Sequence, residues 1–362
     1  MRFEGKRLKV SVFGQSHGPA IGAVIEGLPA GIRVDEEALR ALMRRRAPGQ
    51  GSHTTARRET DEPRWLSGLK DGVTCGGPLT LMIENRDVHS ADYAALQDVP
   101  RPSHADWPAF VKYGESHDVR GGGMFSARLT APLCAAGGVA LQCLAKKGVA
   151  VGAHIASIAD VHDSAFDPVQ VSRQDFAQIL RHPLPVLDAA AGEQMLAVIE
   201  QARKAADSVG GVVECAALGL PVGLGGPLFE GLESSLASAI FAIPAVRGVA
   251  FGAGFAAAGM RGSAHNDPLG LREGKITPLT NHAGGVTGGL TTGLPLLFTA
   301  AFKPTPSIGQ AQRSVSLSRG EETELVISGR HDPCVVPRAV PVVEAVTALV
   351  LLDRMMSETE VC

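Results

Sequence analysis

Two segments of the chain share one pattern: GAVIEGLPAGIRVDEEALRALMRR (residues 22–45) and GVVECAALGLPVGLGGPLFEGLESSLASAI (residues 211–240). Each predicts a β-strand, a turn at Gly-Leu-Pro and then a helix, because Gly and Pro interrupt runs of β-branched residues. The likeness continues downstream, where VTCGGPLTLMI (73–83) is matched by VTGGLTTGLPLLFTAAF (286–302). The repeated order predicts one domain over residues 1–362 with an internal duplication, its halves at about 8–150 and 205–358 and a helical insertion at about 155–205.

A small-residue-rich apolar helix is predicted late in each half, in SARLTAPLCAAGGVALQCLAKK (126–147) and RAVPVVEAVTALVLLDRMM (338–356). Both are apolar nearly all round, which indicates burial on more than one side. Helices placed between two sheets meet that requirement. We therefore predict an α+β fold in which helices are sandwiched between two antiparallel sheets.

Composition excludes several classes of protein. Apolar residues make up 45% and charged residues 20% of the 362 residues, so the chain is predicted to fold rather than remain disordered. The net charge of −3 does not favour nucleic-acid binding. Six cysteines without a CxxC pair favour a reducing cytoplasm, and we expect no signal peptide and no membrane segment.

Short motifs for other chemistries are mostly rejected. HExxH and paired Cys/His zinc spacings are missing from the sequence, so no metal is predicted. Gly252-x-Gly254-x-x-Ala257 is followed by MRGSAHNDPLG, which cannot continue a dinucleotide-binding helix. Gly14-Gln15-Ser16-His17-Gly18 matches the nucleophile motif of serine hydrolases. The residues after it favour a strand rather than the required helix, so a hydrolase remains only an alternative.

Arginines are concentrated beside Gly-rich turns, in RRR (44–46), TTARRE (54–59), RPSHAD (101–106), RGGG (120–123) and GRHDP (329–333). Arginine recognises phosphate and carboxylate oxygens through paired donors. We therefore predict a small, phosphate-containing polyanion as the ligand. His17 and His104 lie in tight loops of small residues and are candidates to move a proton, whereas a purely structural role or a non-catalytic phosphorylated-ligand binder is the alternative.

Seven ordered motifs in this chain resemble those of the chorismate synthase family. They are FGQSHGPAIGAVIEGLPAG (13–31), RRRAPGQ with RRETDE (44–62), RPSHADWPAFVKYG (101–114), RGGGMFSARLTAP (120–132), NHAGGVTGGLTTGLP (281–295), KPTPSI (303–308) and GRHDPCVVPRAVPVVEA (329–345). The resemblance implies a lyase of the shikimate pathway, in aromatic amino-acid biosynthesis. Such a flavoprotein converts 5-enolpyruvylshikimate 3-phosphate to chorismate by 1,4-anti-elimination with reduced FMN. It also implies a homotetramer.

The resemblance assigns roles to individual residues. His17 would serve the leaving phosphate, His104 the flavin ring and Asp332 the flavin N5 region. The substrate-binding residues would be Ser16, Arg46, Arg57, Arg101 and Arg128. The flavin would be held by Met124, Phe125, Ser126, Pro244, Ala245, Gly288, Lys303, Pro304, Thr305, Pro306, Ser307 and Arg330.

Some positions depart from the pattern of the family. Gln15 stands where an acidic residue is usual, Met124 where Arg is common, and Pro244 where Asn is frequent. Many members carry an arginine near the position of Ser52. Arg46 and Ser52 mark a possible NADP site, but the missing arginine predicts weak use of NADPH and reliance on an external flavin reductase.

Overall fold

The computed structural model describes residues 1–49, 59–87, 96–272, 274–327 and 332–358. The strands in these ranges are β1 (Arg2–Glu4), β2 (Lys9–Gly14), β3 (Ala20–Glu26), β4 (Arg64–Ser67), β5 (Leu69–Lys70), β6 (Val73–Thr74), β7 (Leu79–Glu84), β8 (Ala150–Ile158), β9 (Val161–His162), β10 (Gly211–Leu218), β11 (Val246–Phe251), β12 (Leu269–Arg272), β13 (Lys275–Pro278), β14 (Val286–Thr287), β15 (Leu290–Thr291), β16 (Leu296–Phe302), β17 (Gln312–Ser316) and β18 (Glu321–Leu325). The helices are α1 (Glu36–Arg46), α2 (Asp106–Tyr113), α3 (Thr130–Lys146), α4 (Arg173–Ile179), α5 (Ala189–Lys204), α6 (Leu232–Phe241), α7 (Gly262–His265) and α8 (Val336–Glu358).

Two five-stranded antiparallel sheets form the framework. The spatial order is β1-β2-β3-β7-β4 in the first sheet and β11-β16-β10-β8-β9 in the second. Helix α3 packs on the first sheet through β2, β3 and β7, and α8 packs on the second through β8 and β10. The predicted α+β sandwich of helices between two antiparallel sheets is confirmed.

Close contact between α3 and α8 joins the two layers. A Cβ atom added to Gly137 of α3 would overlap Ala345 of α8. The two helix backbones can therefore touch at this point only because both residues are small. One apolar cluster lies between the first sheet, α1, α3 and the end of α8, and a second lies between the second sheet and the start of α8. The segment Ala127–Lys146 has the length and apolarity of a membrane span, but 72% of its apolar window is buried inside the protein.

The predicted strand, turn and helix order is present in both of the segments that indicated a duplication. Strand β3 leads through a turn to α1, and β10 leads through a turn to α6. The helical segment between the halves begins later than residue 155, because β8 continues to Ile158 as a strand of the second sheet. Duplication and the domain boundaries remain predictions.

The ends of three helices meet where the predicted site residues lie. Arg46 is the last residue of α1, and its Nη2 donates to the carbonyl of Ala127 at 2.8 Å. Its Nε donates at 3.1 Å to the hydroxyl of Thr130, the first residue of α3. Arg338 of α8 donates from Nε to the carbonyl of Arg46 at 3.0 Å. The beginnings of α3 and α8 are thereby held at the end of α1, and helix beginnings favour anions.

Candidate active site

One large cavity collects most of the residues predicted to bind ligands. Its volume is about 1290 Å³, above the roughly 300–1,000 Å³ common for small-molecule sites. It has room for two small ligands together. The predicted residues that line it are Ser16, Arg46, Arg101, His104, Met124, Phe125, Ser126, Arg128, Pro244, Ala245, Lys303, Thr305, Pro306, Ser307 and Asp332.

The other predicted residues lie elsewhere. His17 is not among the lining residues, but its imidazole lies against Gly121, which is one of them. Pro304 borders a smaller cavity of about 340 Å³ that also touches Lys303 and Thr305. Gly288 lies in the turn between β14 and β15, which lines neither cavity. Ser52, Arg57 and Arg330 lie outside the described residues.

A run of three glycines separates the two candidate histidines. Gly121, Gly122 and Gly123 have φ angles of 58°, 85° and 52°, a region that only glycine adopts without strain. A Cβ atom on Gly121 would overlap the imidazole of His17 and the hydroxyl of Ser16. A Cβ atom on Gly122 would lie 3.3 Å from His104 Nε2. The glycine loop therefore brings both histidines close to the same short stretch of backbone.

His104 is held by a buried acid. Its Nδ1 lies 2.5 Å from Asp106 Oδ1, and Arg101 donates to the same carboxylate from Nε at 2.7 Å and from Nη2 at 2.8 Å. Burial lowers the pKa of His104, which the hydrogen bond to Asp106 only partly offsets. Burial alone would raise the pKa of Asp106, but hydrogen bonds from Arg101 and His104 hold it well below its ordinary value.

A second buried acid ties two of the predicted substrate arginines together. Arg46 donates from Nη1 to Asp61 Oδ2 at 2.5 Å, and Arg128 donates from Nη1 to Asp61 Oδ1. All three residues are at most 5% exposed. Burial alone would raise the pKa of Asp61, but the two guanidinium groups lower it. The arginines are thus fixed in place while parts of both still line the cavity.

Asp332 is paired with Arg338, which was not among the site residues predicted from the sequence. Arg338 donates from Nη1 to Asp332 Oδ2 at 2.5 Å, and both residues line the cavity. Asp61 and Asp106 were missed in the same way. Asp61 and Asp106 lie inside motifs that carry the family resemblance, but their pairing with arginines from distant segments has no signature in a single sequence.

The serine hydrolase alternative does not fit the local geometry. Residues 15–19 form a turn between the antiparallel strands β2 and β3 rather than a passage from strand to helix. The nucleophile motif requires that strand-to-helix turn. Ser16 Oγ is buried without a hydrogen-bond partner among the described residues, so no base activates it there. Within the same residues, no group of three or more His, Cys, Asp and Glu side chains could hold a metal.

Comparison with known proteins decides the family. The family model described as chorismate synthase matches residues 8–356. A chorismate synthase of Lancefieldella parvula is 45% identical over 98% of this chain and 96% of its own length. One of Thermococcus kodakarensis is 48% identical over 97% of each chain. The chain belongs to the chorismate synthase family.

A solved structure agrees with this assignment. A crystal structure of a chorismate synthase superposes with a TM-score of 0.77 at 28% identity, over 98% of this chain and 93% of that chain. As a chorismate synthase family member, the protein is a lyase of the shikimate pathway and of aromatic amino-acid biosynthesis. It converts 5-enolpyruvylshikimate 3-phosphate to chorismate, and flavin dependence follows from the family.

Proposed function

We propose that this conversion proceeds as a 1,4-anti-elimination of phosphate in the large cavity, with reduced FMN bound beside the substrate. The observation that carries the proposal is the glycine loop 121–123, where an added Cβ atom would overlap His17 at Gly121 and would lie 3.3 Å from His104 Nε2 at Gly122. This loop lies next to a cavity lined by Arg46, Arg101 and Arg128.

The chain offers features that a flavin site needs. Thr305 Oγ1, on a proposed flavin contact, is buried at the cavity and finds no hydrogen-bond partner within the described part of the chain, as does Ser16 Oγ on a proposed substrate contact. Such hydroxyls are costly unless a ligand satisfies them. Met124 and Phe125 add apolar lining on which a flat ring can lie. The reduced flavin, when bound, supplies a redox-active ring to a reaction that has no net redox change.

We assign the flavin to the residues that the family resemblance names. Those in the cavity lining are Met124, Phe125, Ser126, Pro244, Ala245, Lys303, Thr305, Pro306 and Ser307. Pro304, Gly288 and Arg330 are proposed as further contacts. Lys303 donates to the carbonyl of Ser103 at 3.1 Å, so the 303–307 loop lies beside the loop that carries His104.

The protein groups have separate tasks in the proposed reaction. The arginines bind the phosphate and the two carboxylates of the substrate, with Arg57 as a further proposed contact. His17 donates a proton or a hydrogen bond to the phosphate as it leaves with the electron pair of the broken C–O bond. His104 would take up or return a proton at the flavin ring, and Asp332 would assist removal of the proton that the substrate ring loses.

An anaerobic assay with reduced FMN and substrate tests the proposal. We expect His17→Ala and His104→Ala each to lower kcat by about 10²-fold to 10⁴-fold with an unchanged circular dichroism spectrum. Near-parental turnover in either variant would refute the role of that histidine. Tight binding of substrate without any turnover by the parent protein would instead favour the phosphorylated-ligand binder.

Flavin and substrate are expected to bind cooperatively, because an anion held by the arginines orders the loops that also hold the flavin. FMN titrations followed by fluorescence quenching, with and without substrate, measure the coupling. Equal affinities in the two titrations would contradict adjacent binding in one cavity.

We propose that the flavin is reduced outside the protein, by an external flavin reductase. Support comes from the sequence, in which Ser52 and Met124 replace arginines common in the family. Loss of one charge-assisted bond, about 1.5–3 kcal/mol, weakens nucleotide binding roughly tenfold or more. NADPH consumption with excess FMN is the test, with Ser52→Arg as comparison. Robust oxidation by the parent protein would overturn the proposal.

A homotetramer in the cytoplasm is proposed as the working form. The family resemblance implies the tetramer, and the adjacent side chains of Leu228 and Phe229, 83% and 93% exposed, are apolar surface that an interface between chains would cover. The cysteines among the described residues are free thiols, as in a reducing compartment. Light scattering after size-exclusion chromatography measures the assembly, and a monomeric mass would contradict it.

A further inference from the structure

Asn85 connects the turn that carries His17 to one of the cavity arginines. It follows directly after β7, and its backbone N–H donates to the carbonyl of Pro19 at 3.1 Å. Its side chain is half-buried and faces two functional segments at once. None of the roles described above depends on it.

Three hydrogen bonds fix the side-chain amide. Asn85 Nδ2 donates to the carbonyl of Gln15 at 3.0 Å and to the carbonyl of Gly18 at 2.8 Å. Arg128 donates from Nε to Asn85 Oδ1 at 3.0 Å. An asparagine amide has two N–H donors on one side and an acceptor oxygen on the other, so only one orientation of the amide satisfies all three contacts.

The two carbonyls that Asn85 binds lie on either side of the candidate site residues in the turn. Ser16 and His17 are the residues between Gln15 and Gly18, so the amide holds the turn at both of its ends. Arg128 is also held by Asp61. Asn85 therefore ties the turn to the Arg128 guanidinium and restrains relative motion between them.

We propose that Asn85 is a positioning residue that sets the spacing between His17 and Arg128, so that the proton donor and the anion-binding guanidinium meet the same leaving phosphate. The inference rests on the proposed function, because it acts through His17. Asparagine suits the position because aspartate has no donor for the two carbonyls and alanine reaches none of the three partners. Displacement of a reacting group by about 1 Å can cost up to about 10²-fold in rate.

Gln142 offers a matched control. Both polar atoms of its side-chain amide are also hydrogen-bonded. Oε1 accepts from the Asp35 backbone N–H at 2.8 Å, and Nε2 donates to the Asp35 carbonyl at 2.9 Å. Neither residue lines the large cavity. Gln142→Ala therefore removes an amide bridge of the same kind without touching the candidate active site.

A double-mutant cycle separates positioning from simple stabilisation. We expect Asn85→Ala to lower kcat by about 10-fold to 10²-fold, with the double variant Asn85→Ala/His17→Ala no slower than His17→Ala alone. Gln142→Ala should leave kcat unchanged and combine additively with His17→Ala. If Asn85→Ala does not fold, the isosteric Asn85→Asp serves in the same cycle, since it keeps an acceptor for Arg128 but lacks the donors.

The outcomes are distinct. Additive losses in the Asn85 and His17 cycle would overturn the inference, as would parental kcat in Asn85→Ala while His17→Ala is impaired. If the proposed function itself is wrong, the result is different, because the single variant His17→Ala would then have the parental kcat. Amide hydrogen exchange of residues 13–19 without ligands should rise in Asn85→Ala and stay unchanged in Gln142→Ala. No rise in the first variant would also contradict the inference.

Discussion

His104 Nδ1 lies 2.5 Å from Asp106 Oδ1, and the same carboxylate accepts three hydrogen bonds from Arg101, two of them from its guanidinium. A carboxylate held ionised by an arginine can only accept, so the proton of the neutral imidazole is on Nδ1. Nε2 is then the free acceptor, and it faces the glycine loop at Gly122. This arrangement sets both the tautomer and the direction in which His104 can take up a proton.

Replacing Asp106 by asparagine should disturb both properties. The carboxylate raises the pKa of His104 against the effect of burial, so Asp106→Asn should lower that pKa further and move the acidic limb of the pH–rate profile to lower pH. We expect kcat to fall about 10²-fold or more, because the amide no longer fixes the tautomer. Asp267→Asn is the control, since Asp267 Oδ1 lies 3.1 Å from His282 Nδ1 outside the cavity. Equal pH profiles for the two variants would contradict the role of Asp106.

The glycine loop predicts a contrast between two alanine substitutions. Gly121 has φ 58° and ψ 16°, whereas Gly114 has φ 61° and ψ −151°, a region essentially restricted to glycine, so alanine strains the backbone more at Gly114 than at Gly121. Only at Gly121 does a Cβ atom overlap His17 and Ser16, whereas no atom lies within 4 Å of it at Gly114. Gly121→Ala should therefore lower kcat by about 10²-fold while Gly114→Ala shifts only the melting temperature. Similar kcat values would argue against the proximity of Gly121 to the reacting groups.

Asp61 should be among the residues most important for stability. Asp61→Asn would leave the buried guanidinium groups of Arg46 and Arg128 without their shared counter-charge, and loss of one partner in a buried pair costs about 3–5 kcal/mol. The free energy of unfolding in urea measures this loss. Glu200→Gln removes an exposed ion pair with Arg203 and should cost far less, because solvent screens that pair. A loss of that small size in Asp61→Asn would show that the two arginines do not need the acid.

His154 predicts a pH-dependent contribution to stability. Its buried ring lies between Asp163, at 2.9 Å from Nδ1, and Glu214, at 2.7 Å from Nε2. Burial alone would lower the pKa of His154, but the two carboxylates raise it above its ordinary value. Because the folded-state pKa is raised, the charged ring stabilises the folded protein fully below the unfolded-state pKa of about 6.5. This stabilisation is lost as the pH rises through the folded-state pKa.

Melting temperatures between pH 6 and pH 9.5 test this expectation. The difference between the parent protein and His154→Gln should be largest near pH 6 and should shrink toward the alkaline end. His162→Gln alters an exposed imidazole on β9 and should show no such trend. A constant difference for His154→Gln across the range would mean that the ring is not charged in the folded protein.

Much of the framework could be predicted because it depends on local patterns. The strand, turn and helix order in residues 22–45 follows from β-branched residues, Gly and Pro, and the buried helices α3 and α8 follow from their apolar composition. Most of the residues that the family resemblance named also lie in the cavity lining. These signals are carried by residues adjacent in the chain, so one sequence is enough to read them.

The pairing of distant charges could not be obtained in that way. Asp61 meets Arg46 and Arg128 across 15 and 67 residues of chain, and Asn85 joins a turn 67 to 70 residues earlier to a helix start. Such contacts depend on how the sheets and helices pack, since a buried charge or amide is stable only beside the particular partners that packing brings to it. Local sequence therefore determines the elements and the chemistry available, whereas their packing decides which arginines are tied down and how His17 and His104 are oriented.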